Sequence, residues 1–509
     1  MPRALLSVWD KSGLESFAAG LSELGWTLVS SGKTSAFLEE HGLDVLRVEE
    51  VTGAPEMLGG RVKTLHPRIH GGILARRDLD EDVATLAEQD IEPFDLVCVN
   101  LYPFTDVAAA GAGEPEVVEM IDVGGPAMLR AAAKNFAHVA AVSNPAQYEA
   151  VLAELRAQGE LSDETRRALA QDAFATTAAY DAAIAGWFSG DPFPETLVLT
   201  FRKVGDLPYG ENPHQRAAYY RAADGRRHLL SRVEQLGGKE LSYNNLADLE
   251  GARRVARELE RPAAVIVKHA NPCGVAVADT LGEAWERAVA ADPVSAFGCV
   301  AVLNRPVGAA LGARIAEHFV EVLLAPGYDD AAAEALRQKK ALRILRDDEE
   351  RPEPTSELDV KRVLGGILVQ ERDSELDERS AMQLACGELT DAQWDDLLFA
   401  WRVCKHVSSN AIVLARGLQT IGIGAGQMSR VDAVRIAVDK AREHGHEIAG
   451  AVLASDAFFP FADGPQIALD AGVAGIVQPG GSRRDAEVLA SVEAAGAAMV
   501  LTGRRHFRH

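Results

Sequence analysis

Lys268-His269-Ala270-Asn271 follows directly on an apolar run, Ala264–Val267, that reads as a strand. A lysine beside a histidine at the end of a strand offers two groups for proton transfer. Imidazole exchanges protons near neutral pH. An ammonium stabilises developing negative charge, or donates a proton if burial lowers its pKa. A single histidine here would more often be structural. The adjacent pair, with Pro272-Cys273-Gly274 behind it, puts the catalytic reading on equal terms.

Several other segments suit an anionic or flat ligand. Ser31-Gly32-Lys33-Thr34 lies at a strand-to-helix junction, where N–H groups and hydroxyls favour phosphate. It is not a P-loop, because that motif needs a glycine where Thr27 stands. Gly59-Gly60-Arg61-Val62-Lys63-Thr64 sets two cations two residues apart in an acidic chain. Asn100-Leu101-Tyr102 closes another strand. Asp122-Val123-Gly124-Gly125 precedes an alanine-rich helix carrying Arg130 and Lys134. Read one by one, these are also a helix cap, a solvated loop, a packed aromatic and a turn aspartate. Tyr209-Gly210-Glu211-Asn212 is a polar turn, and Gly422–Arg430 is a glycine-rich approach to a helix. Phe458-Phe459-Pro460-Phe461-Ala462-Asp463 could stack a heterocycle or pack a core. The segment from Arg504 to His509 is basic. The spelling His269…Pro272-Cys273 is close to that of zinc deaminases. Their second cysteine would fall on Ala276 and their glutamate on Asn271, so no metal is expected.

The elements that must carry these residues alternate. Ala4–Val8, Thr27–Ser31, Leu96–Leu101 and Val139–Ser143 read as strands. Leu14–Leu24 and Thr34–His41 read as helices that stop at Gly25 and Gly42. This order predicts a parallel sheet with helices on its faces and ligands at the strand C-termini. Ser162 caps a long helix that runs to Phe188, and Ser189–Pro194 breaks it, so a domain boundary is expected near 195. Beyond it, strands are expected at Ala264–Lys268, Cys299–Leu303, Ala411–Ala415, Ile421–Gly424, Ala451–Ser455, Gly475–Val477 and Ala498–Leu501. A helix is expected over Val431–His444. Arg346–Val360 reads as a surface excursion. The blocks 263–303 and 411–455 are candidates for related halves, with little identity between them.

The chain has 509 residues, 47% of them hydrophobic, and a net charge of −23. That is ample apolar material for large cores. The acidic balance argues against a nonspecific nucleic-acid partner, and no apolar run reaches the ~18 residues of a membrane span. Five scattered cysteines without a CxxC pattern point to a reducing cytoplasm and no structural zinc.

Taken in order, SVWDKSGL, GGRVKTLHPRIHGGILARR, NLYPF, IDVGGPAMLRAAAKN, YGENPHQ, KHANPCG, SAFG, SSNA, GIGAGQMSR, SDAFFPFAD and RHFRH span nearly the whole chain. The set resembles the bifunctional purine-biosynthesis family that joins AICAR formyltransferase to IMP cyclohydrolase. The resemblance implies an α/β protein: a methylglyoxal-synthase-like three-layer domain over 1–195, and a transformylase region over 196–509 built from two cytidine-deaminase-like halves without zinc. It implies a homodimer acting on small molecules, with 10-formyltetrahydrofolate as co-substrate, no metal, and a cytoplasmic location. By the same resemblance, His269, Lys268 and Asn410 act in formyl transfer, with Phe461 and Asp463 against the pterin. Tyr209, Phe297, Gly298, Arg430, Arg505 and His509 complete the substrate contacts there. Lys63, Tyr102, Asp122 and Lys134 act in cyclisation. Ser7, Lys11, Ser31, Gly32, Thr34, Arg61, Thr64, Asn100 and Gly124 hold the nucleotide.

Two departures stand out. Lys33 replaces the usual second glycine of the phosphate turn, and Pro208 replaces a frequent arginine before Tyr209. They leave two other readings open: a transformylase with a decayed cyclohydrolase domain, and a nucleotide sensor without turnover.

Overall fold

The computed structural model describes residues 1–55, 57–223, 233–348 and 358–509. Met1–Arg202 forms one compact unit, and most of the chain from Lys203 to His509 forms a second.

The first unit is built on five strands, β1 (Arg3–Val8), β2 (Thr27–Ser30), β3 (Leu46–Arg47), β4 (Leu96–Asn100) and β5 (Ala140–Val142). They lie in the order β3-β2-β1-β4-β5, and every pairing is parallel. Side chains alternate across a strand, and β1 shows the result. Ala4, Leu6 and Val8 pack with Phe17, Leu21 and Val151 on one face. Leu5 packs with Val29, Val97 and Leu129 on the other. Helices therefore cover both faces, giving three layers. The long helix Asp163–Ser189 is capped by Ser162, whose Oγ accepts from Thr165 N at 3.2 Å. The phosphate-turn helix runs Gly32–Glu40, two residues earlier than expected from the apolar spacing.

The second unit begins with β6 (Phe201–Leu207) and β7 (Ala217–Ala222), paired with each other. Then come β8 (Glu234–Gly237), β9 (Ala263–Lys268), β10 (Asn271–Val277), β11 (Cys299–Leu303), β12 (Val320–Ala325) and β13 (Arg343–Arg346). A hairpin follows, β14 (Leu358–Val363) with β15 (Gly366–Glu371). The last six strands are β16 (Gln383–Cys386), β17 (Ile412–Ala415), β18 (Thr420–Gly424), β19 (Val452–Ser455), β20 (Gly475–Gln478) and β21 (Ala498–Leu501). Of the excursion expected over 346–360, residues 349–357 lie outside the described residues.

These strands form two six-stranded sheets of one topology. The first has the order β10-β9-β11-β12-β13-β8 and the second β18-β17-β19-β20-β21-β16. Each opens on an antiparallel hairpin, β9–β10 or β17–β18. Each continues through one further antiparallel and two parallel pairings and ends on an antiparallel edge. The duplication extends to single residues. A Cβ on Gly274 of β10 would stand 2.0 Å from Ala288 O, and one on Gly422 of β18 would stand 2.0 Å from Ala437 O. In both halves only glycine lets the following helix lie this close. The halves share a core that joins Val265, Val267 and Val300 to Trp401, Val413 and Val452. Val275 N also donates to Thr420 Oγ1 at 3.0 Å.

Candidate active sites

In the first unit the C-terminal ends of β1, β2 and β4 converge, next to the point where strand order reverses. That is where an open α/β sheet holds a ligand. After β2, Ser31 is buried, and Gly32 has φ +54 at the first turn of its helix. A Cβ on Gly32 would stand 2.5 Å from Lys63 Nζ, so the ammonium lies directly over the turn. Thr34 faces inward, its Oγ1 accepting from Val8 N at 3.2 Å and donating to Val8 O at 3.0 Å. Ser7 is on β1, opposite Val99. Lys33 carries no backbone strain, because the left-handed position belongs to Gly32. Instead it adds a cation: burial and the Lys33 charge together hold the Lys11 pKa below its ordinary value.

The segment after β1 is latched to β4. Asn100 Oδ1 accepts from Trp9 N at 2.6 Å and Asp10 N at 2.9 Å, and its Nδ2 donates to Asp10 O. Trp9 then lies 5.2 Å from the Tyr102 ring. Burial and the Asp122 carboxylate both raise the Tyr102 pKa. Burial also raises Asp122, although Gly125 N donates to its Oδ1 at 2.8 Å. The two glycines here are needed for space. A Cβ on Gly124 would meet Thr64 Oγ1 at 2.7 Å, and one on Gly125 would meet Asp122 Oδ2 at 2.3 Å. Arg61 pairs with Glu119 at the exposed surface. The structure thus brings Gly32 to Lys63, Tyr102 to Asp122, and Gly124 to Thr64. It does not bring Lys134 to them. Lys134 ends the helix that Gly124 begins, and helical rise separates the two by about 15 Å.

In the second unit, Lys268 and His269 sit at the β9–β10 turn. Pro272 and Gly274 are residues typical of a turn, yet the structure places both in β10, with an irregularity between them. The turn is His269-Ala270, both left-handed at φ +53 and +59. Lys268 Nζ donates to Phe297 O, and Gly298 lies alongside at φ +70. Lys268 and His269 line a cavity of about 410 Å³, together with Asn271, Ser295, Gly422 and Lys440.

A polar chain runs behind it. Asn271 Oδ1 accepts from Ser408 N at 2.8 Å. Asn410 Nδ2 donates to Gln427 O at 2.8 Å, and its Oδ1 accepts from Arg430 at 2.7 Å. The buried Arg430 guanidinium also reaches Ser455 Oγ at 2.8 Å and the fully buried Asp456. Arg430 thus ties Asn410 to Asp456. The basic end of the chain is docked. His506 is buried, with Nδ1 2.6 Å from Asp373 and Nε2 3.2 Å from Asp377. Arg508 donates to Ala270 O at 2.8 Å and to His406 O, which ties this end to the catalytic turn.

The remaining expected residues lie further out. Phe461 is half-exposed beneath the Arg484 guanidinium. Asp463 begins a helix and accepts from Gly464 N. Tyr209 is exposed beside the turn closed by Gly210 N and Gln215 O. The Arg505 guanidinium lies 4.7 Å from the Phe507 ring, which is 5.5 Å from the His509 ring. Sequence reasoning passed over Asp248 and Asp456, and took Arg508 only as part of a basic segment. Only Asp456, within SDAFFPFAD, stood in a motif at a strand end that could have flagged it.

A three-layer domain with an anion-suited turn, followed by a duplicated α/β unit with a Lys–His turn, points to an enzyme with a candidate site in each unit. Comparison with known proteins makes this specific. The family model for the AICARFT/IMPCHase bienzyme matches residues 132–440, and that for the MGS-like domain matches 13–127. The bifunctional purine biosynthesis protein PurH of Myxococcus xanthus is 51% identical over 99% of this chain and 100% of its own. Those of Anaeromyxobacter sp. and Magnetococcus marinus are each 50% identical over 100% of this chain and 99% of theirs. The chain belongs to the AICARFT/IMPCHase bienzyme family.

Proposed function

We propose that the two activities of this purine-biosynthesis enzyme are divided between its two units. Residues 196–509 transfer a formyl group to AICAR, and residues 1–195 cyclise formyl-AICAR to IMP. The family uses a folate-derived donor, which we take to be 10-formyltetrahydrofolate.

In the first step the AICAR amine attacks the formyl carbon. This amine is conjugated with the imidazole and its carboxamide, so it is a poor nucleophile until its proton is removed. His269 takes that proton as the new C–N bond forms. Lys268 stabilises the tetrahedral oxyanion, then supplies a proton to the folate nitrogen as its bond to carbon breaks. Asn410, held by Arg430, orients the formyl oxygen. Phe461 and Asp463 hold the pterin, and Tyr209, Arg505 and His509 hold the nucleotide. In the second step the carboxamide nitrogen attacks the formyl carbon, and water leaves. Lys63 stabilises the oxyanion, while Tyr102 and Asp122 move protons. The Ser31–Thr34 turn, with Lys11 and Lys33, holds the 5′-phosphate. Lys134 enters this reading by resemblance alone, because its helix carries it away from the others. We also propose a cytoplasmic homodimer.

The observation that carries the reading is the Lys268–His269 pair at a left-handed turn on the rim of a cavity. The test is incubation with AICAR and 10-formyltetrahydrofolate, followed by chromatography. IMP is the expected product. Accumulated formyl-AICAR would instead mean a decayed first unit, and no conversion a sensor.

A further inference from the structure

We infer that Asp248 is a positioning residue for formyl transfer: its carboxylate holds the left-handed turn that aims His269. This rests on the assignment of His269 above. Asp248 stands on the helix Tyr243–Arg257, and its Oδ1 accepts from Ala270 N at 2.6 Å. The His269 N–H and the imidazole charge also act on this carboxylate. His269 and Ala270 are consecutive non-glycine residues at positive φ, a backbone that persists only where the surroundings impose it. The direction of the imidazole follows from that backbone, so whatever imposes it also aims the catalytic group.

The duplication supplies an internal comparison. In the second half, Asp396 on the helix Asp391–Cys404 accepts from Gly417 N at 2.7 Å and Leu418 N at 2.6 Å. The separation of Asp248 from Ala270 is 22 residues, and so is that of Asp396 from Leu418. Gly417 and Leu418 have φ +59 and +60, matching the first turn. The device is therefore the same in both halves, an aspartate bracing a two-residue left-handed hairpin. What differs is the cargo. The second turn has Gly417, which tolerates positive φ unaided. The first has His269, which does not, and there the brace also serves the chemistry.

The test pairs Asp248→Asn with Asp396→Asn in the full-length enzyme. Asparagine keeps the shape and one acceptor oxygen but removes the charge. Asp248→Asn should lower kcat for formyl transfer by about 10²-fold, the scale of a misplaced catalytic group, with little change in the KM for AICAR. Asp248→Glu, which restores an acceptor carboxylate, should recover part of that kcat. Asp396→Asn should lower the thermal midpoint to a similar degree but leave kcat for formyl transfer in place. Cyclisation of supplied formyl-AICAR should survive in both, and an unchanged near-UV circular dichroism spectrum reports that the second unit is folded in each. Equal losses of formyl transfer in the two variants, or an unchanged kcat in Asp248→Asn, would overturn the inference. If His269→Ala itself retained formyl transfer, the assignment of His269 would be at fault instead.

Discussion

Glu258 Oε1, in the first half of the duplicated unit, lies 3.0 Å from Lys405 Nζ in the second, with both side chains largely out of water. His406 Nε2 reaches the same oxygen at 2.8 Å. Burial alone would raise the Glu258 pKa, but His406 and Lys405 outweigh it and hold the group below its ordinary value. The carboxylate is thus a charged rivet between the halves.

Removing one member of such a cluster leaves the others buried and uncompensated. Glu258→Gln should therefore destabilise the protein by about 3–5 kcal/mol, measured by denaturant unfolding. Because the native pKa lies below the unfolded one, this carboxylate's contribution is present above the ordinary glutamate value of 4.5 and is lost as pH falls from there through the lowered native value. The acid side of the stability–pH curve should flatten in the variant. An unchanged curve would contradict the proposed linkage.

His269→Ala should reduce formyl transfer by about 10²–10⁴-fold, the range expected for loss of a positioned base. Cyclisation of supplied formyl-AICAR should continue at its normal rate. Assaying each half-reaction separately checks this, and equal loss of both would dissolve the two-site division.

Gly32→Ala should act in the opposite sense. A methyl group there would meet Lys63 Nζ at 2.5 Å and strain a turn at φ +54. Cyclisation should fall and formyl transfer persist. A variant that cyclises normally would remove the turn from the site.

Burial raises the pKa of the half-buried Asp122 above its ordinary value. If it moves a proton as the anion, cyclisation should decline as pH drops through that raised value, and Asp122→Asn should abolish this limb. Lys134→Ala, about 15 Å along the helix, should leave the limb in place. For stability the sign is reversed. The native state holds the Asp122 proton more tightly than the unfolded chain, so its contribution favours folding at low pH and is lost as pH rises through the raised value.

Much of the architecture was legible from residue patterns. β1 and β9 are short apolar runs, Ser162 is a helix cap, and alternating strands and helices required layers. β10 was not legible, because Pro272 and Gly274 read as turn residues. Nor was the left-handed turn, since neither His269 nor Ala270 advertises positive φ. The duplication showed only faintly, as the candidate halves 263–303 and 411–455, because what the halves share is close backbone approach at Gly274 and Gly422 and a brace at Asp248 and Asp396, all small or polar residues with weak patterns. The chemical groups of the candidate sites could be nominated from residue type and spacing. Their partners could not. Nothing near Arg508 in sequence connects it to Ala270, and nothing near Arg430 connects it to Asp456.

The apolar core common to the two halves has a consequence for how this gene can be cut. A fragment ending after the β14–β15 hairpin, or starting at β16, would carry an oily face with nothing to cover it. Such pieces are poor candidates for separate expression and should clump or pair with themselves. Viable recombination breakpoints are accordingly expected outside the duplicated region, which is inherited as a single block.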